Sequence, residues 1–81
     1  MNNIELEVKK IVSDQLGVPL NKIENHHAFI QDLGGDSLDT VEMVLTLEDK
    51  FQIEVEEADA ESMFTVQIAI DYVNKRLEKT S

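Results

Sequence analysis

Within Asp32-Leu33-Gly34-Gly35-Asp36-Ser37-Leu38-Asp39-Thr40, two glycines lead a serine onto the first turn of an expected helix. A hydroxyl at that place is exposed, and the unpaired amides and positive dipole end of a helix start favour a phosphate beside it. Nucleophilic catalysis would need a base within hydrogen-bond reach of the serine. No histidine follows Ser37, and His26 and His27 belong to the segment before it, so the serine reads as an attachment point. Asp36 suits the N-cap, and Asp39 three places on completes a capping box with a shorter acid than usual.

The elements that must position this serine follow from periodicity. Ile4, Val8, Ile11, Val12 and Leu16 recur at i, i+4, i+7, i+8 and i+12, one face of a helix that Gly17 can end. Residues 18–31 contain Pro19, Asn21 and Asn25 and keep no period, so they predict a long loop pinned by Phe29, Ile30 and Leu33 pointing inward. The second helix starts at the motif. Its residues Leu38, Val41 and Leu45 predict one packing seam and Val44, Leu47 and Phe51 a second, which leaves Asp39, Glu42, Thr46 and Asp49 on an outer face with Met43 exposed at its edge.

Phe51 to Val55 alternates like a strand, yet no second such run exists to pair with it, so the segment predicts an extended connection. Residues 56–62 suit a short helix. Thr65 suits the cap of a last helix carrying Val66, Ala69, Ile70, Val73 and Leu77, with Lys75, Arg76 and Lys79 near its negative end. The expected architecture is all-α, a small bundle of three main helices plus one short helix, in one domain over residues 1–81.

Composition restricts the chemistry further. A chain of 81 residues buries roughly 60 to 65% of its unfolded surface, which leaves little room for an enzyme cleft. It has no cysteine, so a reactive sulfur would have to be imported. The opening residues Met1 to Glu5 lack the features of a signal peptide, and no apolar run approaches the roughly 20 residues that span a bilayer. The expectation is a soluble, cytoplasmic monomer.

The net charge is −10, and residues 32–61 hold all of it, with eleven acids against Lys50 alone. Such a field repels nucleic acid and anionic lipid and speeds encounter with basic protein surfaces. His26 and His27 are adjacent and would point in different directions unless the loop folds back, which favours a structural or solvated pair over a metal site or a pH switch. The acids also lack the alternating spacing of a calcium loop.

Gly35-Asp36-Ser37-Leu38 matches the letters of an esterase and lipase signature, but those hydrolases resemble larger α/β chains with a downstream histidine. The eleven residues 32–42 instead resemble the carrier motif of acyl carrier proteins. Lys9-Lys10-Ile11-Val12, Gln15-Leu16-Gly17-Val18, residues 45–51 and the ending Thr65-Val66, Ala69-Ile70-Asp71-Tyr72-Val73 extend the resemblance to the fatty acid synthesis type. By this resemblance the place of Gly35 is one where alanine is common, so glycine is expected to loosen the turn before Ser37.

The resemblance implies that Ser37 receives 4′-phosphopantetheine from coenzyme A, and that acyl groups ride on its thiol as thioesters in fatty acid biosynthesis. Gly34 and Gly35 are expected to leave room for the phosphopantetheinyl transferase. By the same resemblance, Asp36, Asp39, Glu42, Glu48 and Asp49 would meet basic patches on that transferase and on the fatty acid synthesis enzymes, with Met43 as an apolar contact. A carrier of polyketide, peptide or other specialised acyl groups is an alternative, and an unmodified acidic helical adaptor is another from a different class. A fatty acyl cargo is expected to lie against Val41, Leu45, Phe51, Ala60, Met63, Ile68 and Tyr72.

Overall fold

A computed structural model of the chain describes residues 3–80, and the side chains of residues 3–78. Met1 and Asn2 of the opening segment and the side chain of Lys79 therefore lie outside the described residues. Four α-helices follow in order: α1 (Asn3–Leu16), α2 (Ser37–Phe51), α3 (Glu57–Glu61) and α4 (Val66–Thr80), with a single 3₁₀ turn at Leu20–Lys22. The all-helical expectation of three long helices and one short one is met. Among the described residues strand-like pairing is limited to an isolated antiparallel bridge between Ala28 and Thr65.

Each helix end has a local cause. Gly17 ends α1 at φ 69°, where its N–H donates to the Ser13 carbonyl at 2.9 Å. α2 ends without a glycine: Gln52 takes the left-handed conformation at φ 55°, and its side-chain amide donates to the Asp49 carbonyl at 2.7 Å. Thr65 caps α4 as expected, its hydroxyl accepting from the Ile68 amide at 3.2 Å. The Asn25 and His27 carbonyls accept from the next two amides, Gln67 at 2.8 Å and Val66 at 3.1 Å.

α1 packs on both α2 and α4, and α2 also meets α4. Val8 and Val12 of α1, Met43, Val44 and Leu47 of α2, and Val66, Ala69, Ile70 and Val73 of α4 form the core, with Ile23, Phe29 and Met63 from the connections.

The expected orientation of α2 is corrected here. Met43 is 1% exposed, not a surface contact, whereas Leu38, Val41 and Leu45 are 65%, 53% and 59% exposed. The apolar stripe of α2 is wider than two long helices can cover. α1 and α4 take the side centred on Met43 and Leu47, and Val41 and Leu45 are left beside the 28–31 turn, the five-residue α3 and the connections around it. Ile30 is likewise 52% exposed instead of inward, because its neighbour Phe29 takes the interior at 1%.

Candidate functional site

The start of α2 is fixed from both sides of the serine. The Asp36 carboxylate accepts from the Asp39 amide at 2.9 Å, and the Asp39 carboxylate accepts from the Asp36 amide at 3.2 Å, so the expected capping box forms with aspartate in the glutamate role. Of the four amides a helix start leaves without a preceding carbonyl, these two are taken. The amides of Ser37 and Leu38 have no partner among the described residues. The Ser37 side chain is exposed, and its hydroxyl makes no hydrogen bond to a described residue.

The loop ahead of it is rigidly bracketed. Asp32 closes the turn after Ala28, its carboxylate accepting from the Ala28 amide at 2.7 Å. The Phe29 carbonyl accepts from the Gly35 amide at 2.9 Å, and the Phe29 amide donates to the Phe64 carbonyl at 2.9 Å. Gly34 has φ 76° with open space around it, a conformation that disfavours any side chain. Gly35 does something else. It is buried, and a Cβ there would lie 2.7 Å from Leu16 Cδ2 and 3.2 Å from the Phe29 carbonyl oxygen. The expectation that Gly35 leaves room for an approaching enzyme is therefore corrected: it lets the serine-bearing turn sit against the end of α1.

Beside Ser37 opens a groove of about 880 Å³, within the roughly 300 to 1,000 Å³ typical of small-molecule sites. Ser37, Thr40, Val41, Val44, Leu45 and Glu48 of α2 form one wall. Glu57, Ala60 and Glu61 of α3 face them, with Ala28, Phe29 and Ile30 at one end and Val55, Met63 and Phe64 closing the rest. Four expected cargo residues, Val41, Leu45, Ala60 and Met63, come together here.

Phe51, Ile68 and Tyr72 do not line the groove. Phe51 packs half-buried against the core and Ile68 is 38% exposed. Tyr72 turns its hydroxyl to Asp59 at 2.8 Å, since a phenol at a half-buried position finds a polar partner. The sequence reading missed Ile30 and Phe64, both exposed and both on the groove. An aromatic immediately before the Thr65 cap, outside any helical period, was the available signal for Phe64.

The acids differ in what they are free to do. Glu42 and Asp49 are exposed, and Glu42 Oε1 accepts from Gln15 Nε2 at 2.8 Å, which steadies it beside α1. Glu48 is half-buried and accepts from the Val55 amide at 2.8 Å, so it holds the α2–α3 connection. Lys50, the one base of the acidic stretch, pairs with Glu7 of α1 at 3.4 Å. His27 Nδ1 accepts from the Glu24 amide at 3.1 Å, which gives that histidine a structural part in the loop.

Comparison with known proteins places this geometry. Residues 7–72 match the family described as phosphopantetheine attachment site. The fold is similar to the crystal structure of an acyl carrier protein from Thermotoga maritima, with a TM-score of 0.81 and 29% sequence identity over 94% of this chain and 88% of that one. The chain thus belongs to the phosphopantetheine attachment site family and has the acyl carrier protein fold, with phosphopantetheine as its prosthetic group, and it is a carrier and not a catalyst.

Proposed function

We propose that Ser37 is the residue that bears phosphopantetheine, and that the chain carries growing acyl chains in fatty acid biosynthesis. The observation that carries this reading is the place of the Ser37 hydroxyl, exposed and unbonded among described residues at the rim of a largely apolar groove. The residues present fit the group: the Ser37 and Leu38 amides left over by the capping box suit a phosphodiester. When bound, the arm supplies a terminal thiol on which acyl groups travel as thioesters.

The protein's own residues place the ester, shelter an apolar chain and present acids to basic partners. A phosphopantetheinyl transferase and acyl-handling enzymes are the partner classes. Octanoylation of the arm is expected to raise the melting temperature above that of the free-thiol form. Each buried methylene contributes up to about 0.8 kcal/mol, less the cost of widening the groove. A net gain of about 1 kcal/mol moves the midpoint by about 4 to 8 °C in a domain of this size. A midpoint that stays the same from short to octanoyl chains would leave the chain in solvent and remove the shelter from the account.

Charge reversal tests the partner face. Asp36 and Asp39 hold the cap, so Glu42→Lys and Asp49→Lys are the cleaner changes. Each is expected to lower kcat/KM of partner enzymes by about tenfold at low salt, more than Glu5→Lys or Glu78→Lys, with the difference shrinking as salt is added. Equal losses at all four positions would move recognition away from α2.

A further inference from the structure

α3 is the shortest α-helix of the bundle. It has five residues, its N-cap Glu56 makes no side-chain cap bond, and none of its residues is fully buried. A helix that short does not persist on its own. One side of it, through Glu57, Ala60 and Glu61, walls the groove.

Its other side is tied to α4. The Tyr72 hydroxyl donates to Asp59 Oδ2 at 2.8 Å and accepts from Arg76 Nε at 3.0 Å and Nη2 at 2.8 Å. The Arg76 guanidinium lies 5.2 Å from the centre of the Tyr72 ring, and its Nη2 is 3.9 Å from Glu56 Oε2. Arg76 is a cation at any ordinary pH, and the Tyr72 hydrogen bond, reinforced by the Glu56 and Asp59 carboxylates, raises its pKa further.

We propose that Asp59, Tyr72 and Arg76 form a latch on the outside of α3 that positions this helix as the movable wall of the groove, and so sets how firmly an acyl chain is sheltered. The proposal rests on the reading of the groove as the cargo site. None of the three residues lines the groove; they are positioning residues that act through α3. Loss of the latch loosens one wall and leaves the packed α1, α2 and α4 in place.

Tyr72→Phe keeps the ring and removes the hydroxyl that joins the three. In the protein bearing the arm, amide hydrogen exchange is expected to quicken at Ala60, Ser62 and Met63 by roughly three- to tenfold, while Val12 and Leu47 exchange as before. The melting gain on octanoylation is expected to fall to half or less of the wild-type gain. Asp59→Ala should behave the same way and serves if Tyr72→Phe does not fold, whereas Asp59→Asn keeps an acceptor and should restore most of the protection. Unchanged exchange at α3 with a full octanoyl gain would overturn the latch, as would quickening spread evenly over all helices. If wild type shows no octanoyl gain while Tyr72→Phe still quickens α3, the groove reading fails and the link from latch to cargo is overturned with it, but the hold on α3 stands.

Discussion

Ser37→Ala is expected to abolish loading by a phosphopantetheinyl transferase, and with it all acyl transfer to the protein, while the helices stay intact. The loss is complete because a phosphodiester to coenzyme A's arm needs a hydroxyl, and the other hydroxyl of the first turn of α2, on Thr40, is half-buried and donates to the Asp36 carbonyl at 3.2 Å. The fold survives because the Ser37 hydroxyl holds no described partner, and alanine is well tolerated in a first helical turn. The capping box between Asp36 and Asp39 does not involve the Ser37 side chain. Circular dichroism checks the helices and intact mass checks the loading. A loaded Ser37→Ala protein would mean that the arm goes elsewhere.

The largest effect on stability is expected at Met43. Truncation to alanine leaves a cavity beneath α2, where Met43 is 1% exposed, and should cost about 2 to 5 kcal/mol. At about 4 to 8 °C per kcal/mol, that lowers the melting temperature by on the order of 10 °C or more. Leu45→Ala, at a position 59% exposed, should cost less than about 1 kcal/mol. Thermal or urea denaturation of the two variants decides between the orientations. Similar costs for Met43 and Leu45 would restore the surface role that periodicity had assigned to Met43.

That contrast shows what the sequence could and could not reveal. α1 and α4 were legible because each has a single apolar stripe with a glycine or a threonine at one end. The start of α2 was legible because its cap, its serine and its glycines all act locally. The rotation of α2 was not, because Leu38, Val41, Met43, Val44, Leu45 and Leu47 make a stripe too wide for the period to name its buried centre. That choice belongs to α1 and α4, which are distant in sequence. Gly35 was misread for a related reason: its contact is Leu16, at the end of a helix two elements away in the chain.

The cargo groove was half legible. Val41, Leu45, Ala60 and Met63 come from segments whose neighbours could be guessed, while Ile30 and Phe64 come from turns with no period. Tyr72 was expected against the cargo, and its hydroxyl drew it to Asp59 instead. The end of α2 at Gln52 was also silent, since a left-handed residue other than glycine leaves no compositional mark.

The central claim is that this chain is a carrier whose arm is attached at Ser37. Incubation of the wild-type protein with coenzyme A and a broadly specific phosphopantetheinyl transferase, followed by intact mass and fragmentation of the modified peptide, tests it directly. The account predicts one phosphopantetheine per chain, on Ser37. An unmodified chain under those conditions, or an adduct mapped to Ser13 or Ser62, would contradict it.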